Sequence, residues 1–144
     1  MRELCKTKQQ GDLAEMAFSR QATEKGLGVA KPFGDNARYD VIVDNGRERW
    51  RVQVKSTSQL CRKNVYQVRA ARQEHLGNRR AAKTVAYLKS EIDFLAVYVA
   101  PEESWYILPW SALRGRTCLS LHAAEHKKRG PCAEYLEAWH LLRG

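Results

Sequence analysis

Asp40, Gln53 and Lys55 place a carboxylate, an amide and an amine within one short stretch of chain, and Glu15 adds a second carboxylate upstream. Oxygen donors of this kind suit a hard divalent cation such as magnesium, which Asp40, Gln53 and the main-chain carbonyl of Val54 could hold together. An amine beside that cation could align or deprotonate an attacking water, or offset charge building on a phosphate oxygen. The chemistry open to these groups is metal-assisted attack of water, with a phosphate as one target. A solvated strand face with alternating charges would use the same residue types, so the elements that carry them matter.

The stretch YDVIVDNGRERWRVQVKST, residues 39–57, predicts two strands, 39–44 and 47–55, around Asn45-Gly46, the favoured pair for a two-residue type I′ hairpin turn. That turn would set Asp44 opposite Arg47, Ile42 opposite Arg49 and Asp40 opposite Arg51. Tyr39, Val41, Val43, Trp50, Val52 and Val54 then form one apolar face. The other face carries Asp40, Arg51, Gln53 and Lys55, with Gln53 diagonal to Asp40. Residues 9–25 predict a helix, ended by Gly26 and Gly28 in a left-handed cap. Gly11, Ala14, Phe18 and Ala22 form its packing face, and Glu15 lies at the edge of that face, as a rim residue or as a group aimed at a site.

Further strands are expected at 64–70, at 92–100 as a buried central strand, and at 105–109. The polar segment 69–90 reads as a loop with at most a turn of helix, and Tyr135, Leu136, Trp139 and Leu142 are spaced for a closing helix. Helix, strands, helix is the order of an α/β or α+β fold with one mixed sheet between helices. At 144 residues, one domain over 1–144 is the simplest organisation.

Twenty-five basic against sixteen acidic residues give a net charge of +9 and a pI near 9.6, a balance that favours a polyanion, nucleic acid above all. No apolar run approaches the ~20 residues of a membrane span, and the first residues lack the apolar core of a secretory signal, so no membrane partner and a cytoplasmic location are expected. Cys5, Cys61, Cys118 and Cys132 form no CxxC pair, and His122 and His126 lack a nearby thiol; reduced thiols are expected rather than zinc. Candidate phosphate contacts are Arg38, Arg49 and Arg51 around the hairpin, supported by Lys31 and Arg47, and Arg62, Lys63, Arg69, Arg72, Arg79, Arg80 and Lys83 beyond it. Gln67, Gln73, His75 and Asn78 have side chains able to read base edges. Trp105, Tyr106 and Trp110 suit core or subunit packing better than base stacking, and Trp139 suits core or interface.

GDLAE in the helix, GDNARYDVIVDNGRERWRVQVKST in the hairpin and IDFLAVYVAPEESWYILP downstream resemble the PD-(D/E)xK nuclease superfamily. More narrowly they resemble its small branch of group I intron homing endonucleases, and archaeal Holliday-junction resolvases share the helix-plus-hairpin plan. The resemblance covers roughly residues 10–110 and leaves the last thirty unassigned. It implies a restriction-endonuclease-like α/β core, a central mixed sheet flanked by helices. It places the family's metal-binding aspartate on Asp40, its helix glutamate on Glu15 and its lysine on Lys55. Gln53 stands where most members have an acid, a glutamine that the homing branch also uses, and Tyr39 replaces the usual proline. The implied activity is magnesium-dependent cleavage of DNA, with manganese as substitute, by a homodimer or homotetramer. Two alternatives are a junction-resolving nuclease and a nuclease fold that binds DNA without cutting it.

Overall fold

The computed structural model describes residues 6–34, 36–75, 77, 82–123 and 129–144. Helix α1 (Lys6–Glu24) buries Ala14, Phe18 and Ala22, the stripe that its spacing predicts. It ends in a Schellman cap: Gly26 takes a positive φ of 82°, its N–H donates to the Thr23 carbonyl at 3.0 Å, and the Leu27 N–H donates to the Ala22 carbonyl at 3.0 Å. Leu27 and Ala22 are both buried, the apolar contact that accompanies this cap. Gly28 takes no part in it and opens the first strand instead.

Ten strands follow among the described residues: β1 (Gly28–Ala30), β2 (Val41–Asp44), β3 (Arg49–Thr57), β4 (Leu60–Arg62), β5 (Val65–Arg69), β6 (Ala71–His75), β7 (Ala82–Ala86), β8 (Phe94–Val99), β9 (Ser104–Pro109) and β10 (Cys118–His122). The main sheet has the order β1-β2-β3-β8-β9; β3 and β8 run parallel and the other neighbours antiparallel, giving the mixed α/β sheet expected. A second sheet has the order β10-β5-β4, and β6 and β7 form a separate two-stranded ribbon. Val41, Val43, Val52, Val54, Phe94, Ala96, Trp105 and Ile107 pack under α1 with Trp139 and Leu142. Leu95, Val97 and Val99, on the opposite face of β8, pack with Tyr66, Val68, Leu119 and Leu121 of the second sheet. No helix among the described residues is long and apolar enough to cross a membrane.

Four expectations are corrected. The β2–β3 turn has four residues, not two, because Val41 pairs with Val52, Ile42 with Arg51 and Asp44 with Arg49. Side chains write that turn: Asp44 Oδ1 accepts the Gly46 N–H at 2.8 Å, and Asn45 Oδ1 accepts those of Arg47 at 2.9 Å and Glu48 at 2.7 Å. The slip is even, so the valines keep their face, but Tyr39 leaves it and packs against the second cluster. Residues 71–75 and 82–86, expected as loop, are the β6–β7 ribbon. The closing helix is broken as well. A 3-10 turn (Ala133–Tyr135) and the four-residue helix α2 (His140–Arg143) flank Glu137, whose φ is +50°. Glu137 takes that conformation to bond β9: its N–H donates to the Trp105 carbonyl at 2.7 Å, and its carboxylate accepts the Trp105 N–H and the Trp139 indole N–H at 2.8 Å each. Trp105 and Trp139 are accordingly core, flanking Phe18 at ring distances of 5.5 and 5.4 Å.

Candidate active site

The regular β2–β3 ladder starts at Val41 and Val52, whereas β3 continues to Thr57, so residues 53–57 have β8 on one side and an open edge on the other. Asp40 closes the start of that edge. Its N–H donates to the Val52 carbonyl at 2.9 Å, and its Oδ2 accepts the Val54 N–H at 2.9 Å. Because a strand residue points its N–H and C=O to the same neighbour, the Val54 carbonyl faces this edge too. Gln53 and Lys55 project from the face opposite α1, while Glu15 arrives from the α1 side. The two layers meet at the open edge. There Glu15, Asp40, Gln53, Val54 and Lys55, with Thr7, Gln10, Gly11 and Ser56, line one cleft of about 340 Å³.

The electrostatics of the cleft are unbalanced. Burial lifts the Asp40 carboxyl to about 6, and the charge of Glu15 adds to the lift, against the Val54 N–H and the opposing charges of Lys55 and Lys31. Burial lowers Lys55 from the usual lysine range despite the attraction of Asp40, with Arg69 adding repulsion. Glu15 pairs with Lys31 at 3.4 Å. The raised Asp40 carboxyl, facing the charge of Glu15 in a partly buried cleft, would be relieved by a bound cation. The available donors are two carboxylates, an amide oxygen and a main-chain carbonyl, an all-oxygen set that fits magnesium or manganese rather than zinc. Among the described residues no group of three or more His, Cys, Asp or Glu gathers, so this set carries little charge for a metal site.

The candidate DNA contacts divide. Arg38, Arg69 and Arg72 line a second cleft that also contains Asp40, Gln53 and Lys55. Arg62 and Lys63 are exposed at the β4–β5 turn and Lys83 on β7. Arg49 sits at the far end of β3, paired with Asp44 at 3.2 Å. Arg51 is drawn away altogether: its Nε and Nη2 bond Asp93 at 3.0 and 2.9 Å, its N–H bonds the same carboxylate at 2.8 Å, and it also reaches the Ser90 and Lys89 carbonyls. Arg79, Arg80 and Asn78 lie outside the described residues. Tyr87 went unnoticed in the sequence, hidden in a segment read as loop. It lines the second cleft, and burial together with the charge of Asp40 pushes its phenol far above the usual range, so it stays a hydrogen-bond donor.

A helix acid, an aspartate and a lysine two residues after a strand position, meeting at a sheet edge, are the parts of one known nuclease pattern, and a family model for the PD-(D/E)XK endonuclease matches residues 5–142. The chain belongs to the PD-(D/E)XK endonuclease family. The match takes in the last thirty residues as well as the core. The structure of a bacterial homing endonuclease, I-Ssp6803I, is similar to this PD-(D/E)XK endonuclease with a TM-score of 0.83 and 32% identity, over 96% of this chain and 94% of that one. A Holliday junction resolvase, Hjc of Archaeoglobus fulgidus, covers 78% of this chain and 84% of its own at 13% identity, but its TM-score of 0.48 is too low to bear on function. No curated protein matches the chain.

Proposed function

We propose that this PD-(D/E)XK endonuclease cuts DNA at the open edge of β3 in a magnesium-dependent reaction, with manganese able to substitute, and that it is site-specific, as a homing endonuclease is. The observation that carries the reading is the shared cleft of Glu15, Asp40, Gln53, Val54 and Lys55. Asp40, the Gln53 amide oxygen and the Val54 carbonyl would hold the ion, with Glu15 bound directly or through a water. When bound, the ion polarises the phosphate and makes its water a stronger nucleophile.

The chain's own groups do the rest. The Val54 N–H fixes the Asp40 carboxylate through Oδ2, which leaves Oδ1 available to the ion. Lys55, its proton affinity lowered by burial, aligns the attacking water and takes up its proton. Arg38 and Arg69 hold the phosphate backbone alongside, with Arg62, Lys63 and Lys83 farther out, while Arg72 is committed to its pair with Glu91. Gln53, an uncharged donor where the family pattern has an acid, suits one ion rather than two. A break in both strands needs two such sites, so the working form is a homodimer or homotetramer in the cytoplasm. Leu13 and Met16 on the outer side of α1, and Phe33 in the following loop, are large exposed apolar groups in keeping with a subunit contact.

Gln53 also favours a second reading, a nuclease fold that binds DNA without cutting it. Incubation with a linear duplex library and with four-way junctions in magnesium separates these readings. Cleavage of linear duplex, abolished in Asp40→Ala and Lys55→Ala variants that still fold, is expected. Cleavage by Asp40→Ala at the rate of the unaltered protein would contradict the assignment, and binding without cleavage would favour the second reading.

A further inference from the structure

The β6–β7 ribbon supplies none of the groups that would hold the ion or move the proton, yet its inner end forms a wall of the Arg38–Arg72 cleft. We infer that this ribbon reads base edges in a DNA groove next to the bond that is cut, through Gln73, His75 and Thr84. The inference rests on the endonuclease reading and adds to it the element that would choose the target.

The strands pair Ala71 with Ala86, Arg72 with Val85, Gln73 with Thr84, Glu74 with Lys83 and His75 with Ala82. Paired residues share a face, so the ribbon has two unlike faces. One holds Gln73, His75 and Thr84 among Ala71, Ala82 and Ala86: uncharged polar groups between side chains no larger than a methyl. The other is charged and serves as the anchor. Arg72 Nε bonds Glu91 Oε1 at 2.9 Å, with both side chains only 13% and 12% exposed, and Arg72 Nη1 approaches Glu74 at 3.6 Å. A two-stranded ribbon is marginal by itself, and this one joins neither larger sheet, so the ion pair and the buried Ala70, Ala71 and Tyr87 fix its base.

A ribbon of this width fits the major groove, where an amide can bond adenine N6 and N7 together and a hydroxyl can serve either partner. The Gln73 amide N–H donates to Thr84 Oγ1 at 3.2 Å, which orients both groups and leaves the Gln73 carbonyl and the Thr84 hydroxyl hydrogen for bases. The alanines let the strands come close. Gln73 lines the same cleft as Asp40, Gln53 and Lys55, so the bases within its reach neighbour the scissile phosphate. Neutral side chains release no counterions, so the salt dependence of binding falls to charged groups such as Arg69 and Lys83.

The test is selection of bound duplexes from a randomised library in calcium, sequenced for the unaltered protein and for Gln73→Ala, His75→Ala and Thr84→Val, with affinity for one selected duplex measured against salt. Gln73→Ala is expected to lose about tenfold of base preference at one short block of positions. The other two variants lose less, and the salt slope does not change in any of them because no phosphate contact is removed. Preferences identical to the unaltered protein in all three variants would overturn the inference, as would a reduced salt slope in place of lost preference. An unaltered protein that binds DNA with no base preference would also overturn it and leave the endonuclease reading standing. Failure to bind DNA at all would take down both.

Discussion

Two aspartates flank β3 and are treated in opposite ways. Asp93 meets Arg51 near the start of the strand, and Asp40 meets Lys55 near its end. Burial pushes the Asp93 carboxyl up, but the side-chain and main-chain bonds from Arg51 and its charge outweigh that and hold the group below the usual range. Asp40 suffers burial with a single N–H bond and a neighbouring Glu15, and rises to about 6. Arg51 forms a saturated clamp between β3 and the start of β8, whereas Lys55 and Asp40 leave each other partly unsatisfied. Complementary charge is used where the fold is built, and it is left incomplete at the edge where the ion is proposed to bind.

The largest expected effects separate the two ends. Lys55→Ala or Asp40→Ala should lower cleavage by about 10³-fold or more, with thermal unfolding little changed. Asp93→Ala should do the reverse. Leaving Arg51 half-buried without its partner is expected to cost about 2 kcal/mol of stability in urea unfolding, allowing for solvent screening, while cleavage per folded molecule is kept. An Asp93→Ala protein as stable as the original would erase the distinction drawn between the two pairs.

Gln53→Glu sharpens the comparison from the side of the cleft. A third carboxylate beside Glu15 and Asp40 should tighten manganese binding about tenfold, since affinity rises with ligand charge, and calorimetric titration reads this directly. Unchanged affinity would place the metal away from Gln53.

The pH dependence follows from the raised Asp40. A folded state with the higher carboxyl pKa binds more protons than the unfolded chain. Its contribution is therefore favourable below about 4 and is lost as pH rises through about 6. Asp40→Asn can keep the Val54 hydrogen bond without the charge. In EDTA it should be more stable than the original protein by about 1 to 2 kcal/mol at pH 7.5, after discounting for partial exposure, and equal to it near pH 4. Melting curves at the two pH values check this, and a variant less stable at pH 7.5 would reverse the sign.

The smallest effect is expected at Arg49, whose exposed pair with Asp44 lies at the hairpin tip. Arg49→Ala should change stability by less than about 0.5 kcal/mol and DNA affinity hardly at all, whereas Arg69→Ala should weaken DNA binding about tenfold and lower the salt slope by about one. Gel-shift titrations across a salt series compare them.

The four chemical groups were legible because strand and helix periodicity sorts side chains by face, and polar residues stood where a pleated strand would favour Val or Thr. Periodicity could not show that the two faces meet at an edge, since that depends on where β2 begins. The hairpin register slipped because Asp44 and Asn45 bond the turn through side chains, a choice the Asn-Gly pair does not reveal. The ribbon has no buried face, so it carries no apolar alternation to read. Glu137 breaks a well-spaced helix for contacts with Trp105, thirty-two residues away. Arg51 finds its partner forty-two residues on, and from spacing alone it looked like another phosphate ligand.

The most direct test of the central claim is the anomalous difference map of crystals soaked in manganese. The account predicts one peak at the open edge of β3, within bonding reach of Asp40 and Gln53 oxygens and the Val54 carbonyl, and its loss in Asp40→Asn crystals. A peak elsewhere on the protein, or one that persists in the Asn variant, would contradict it.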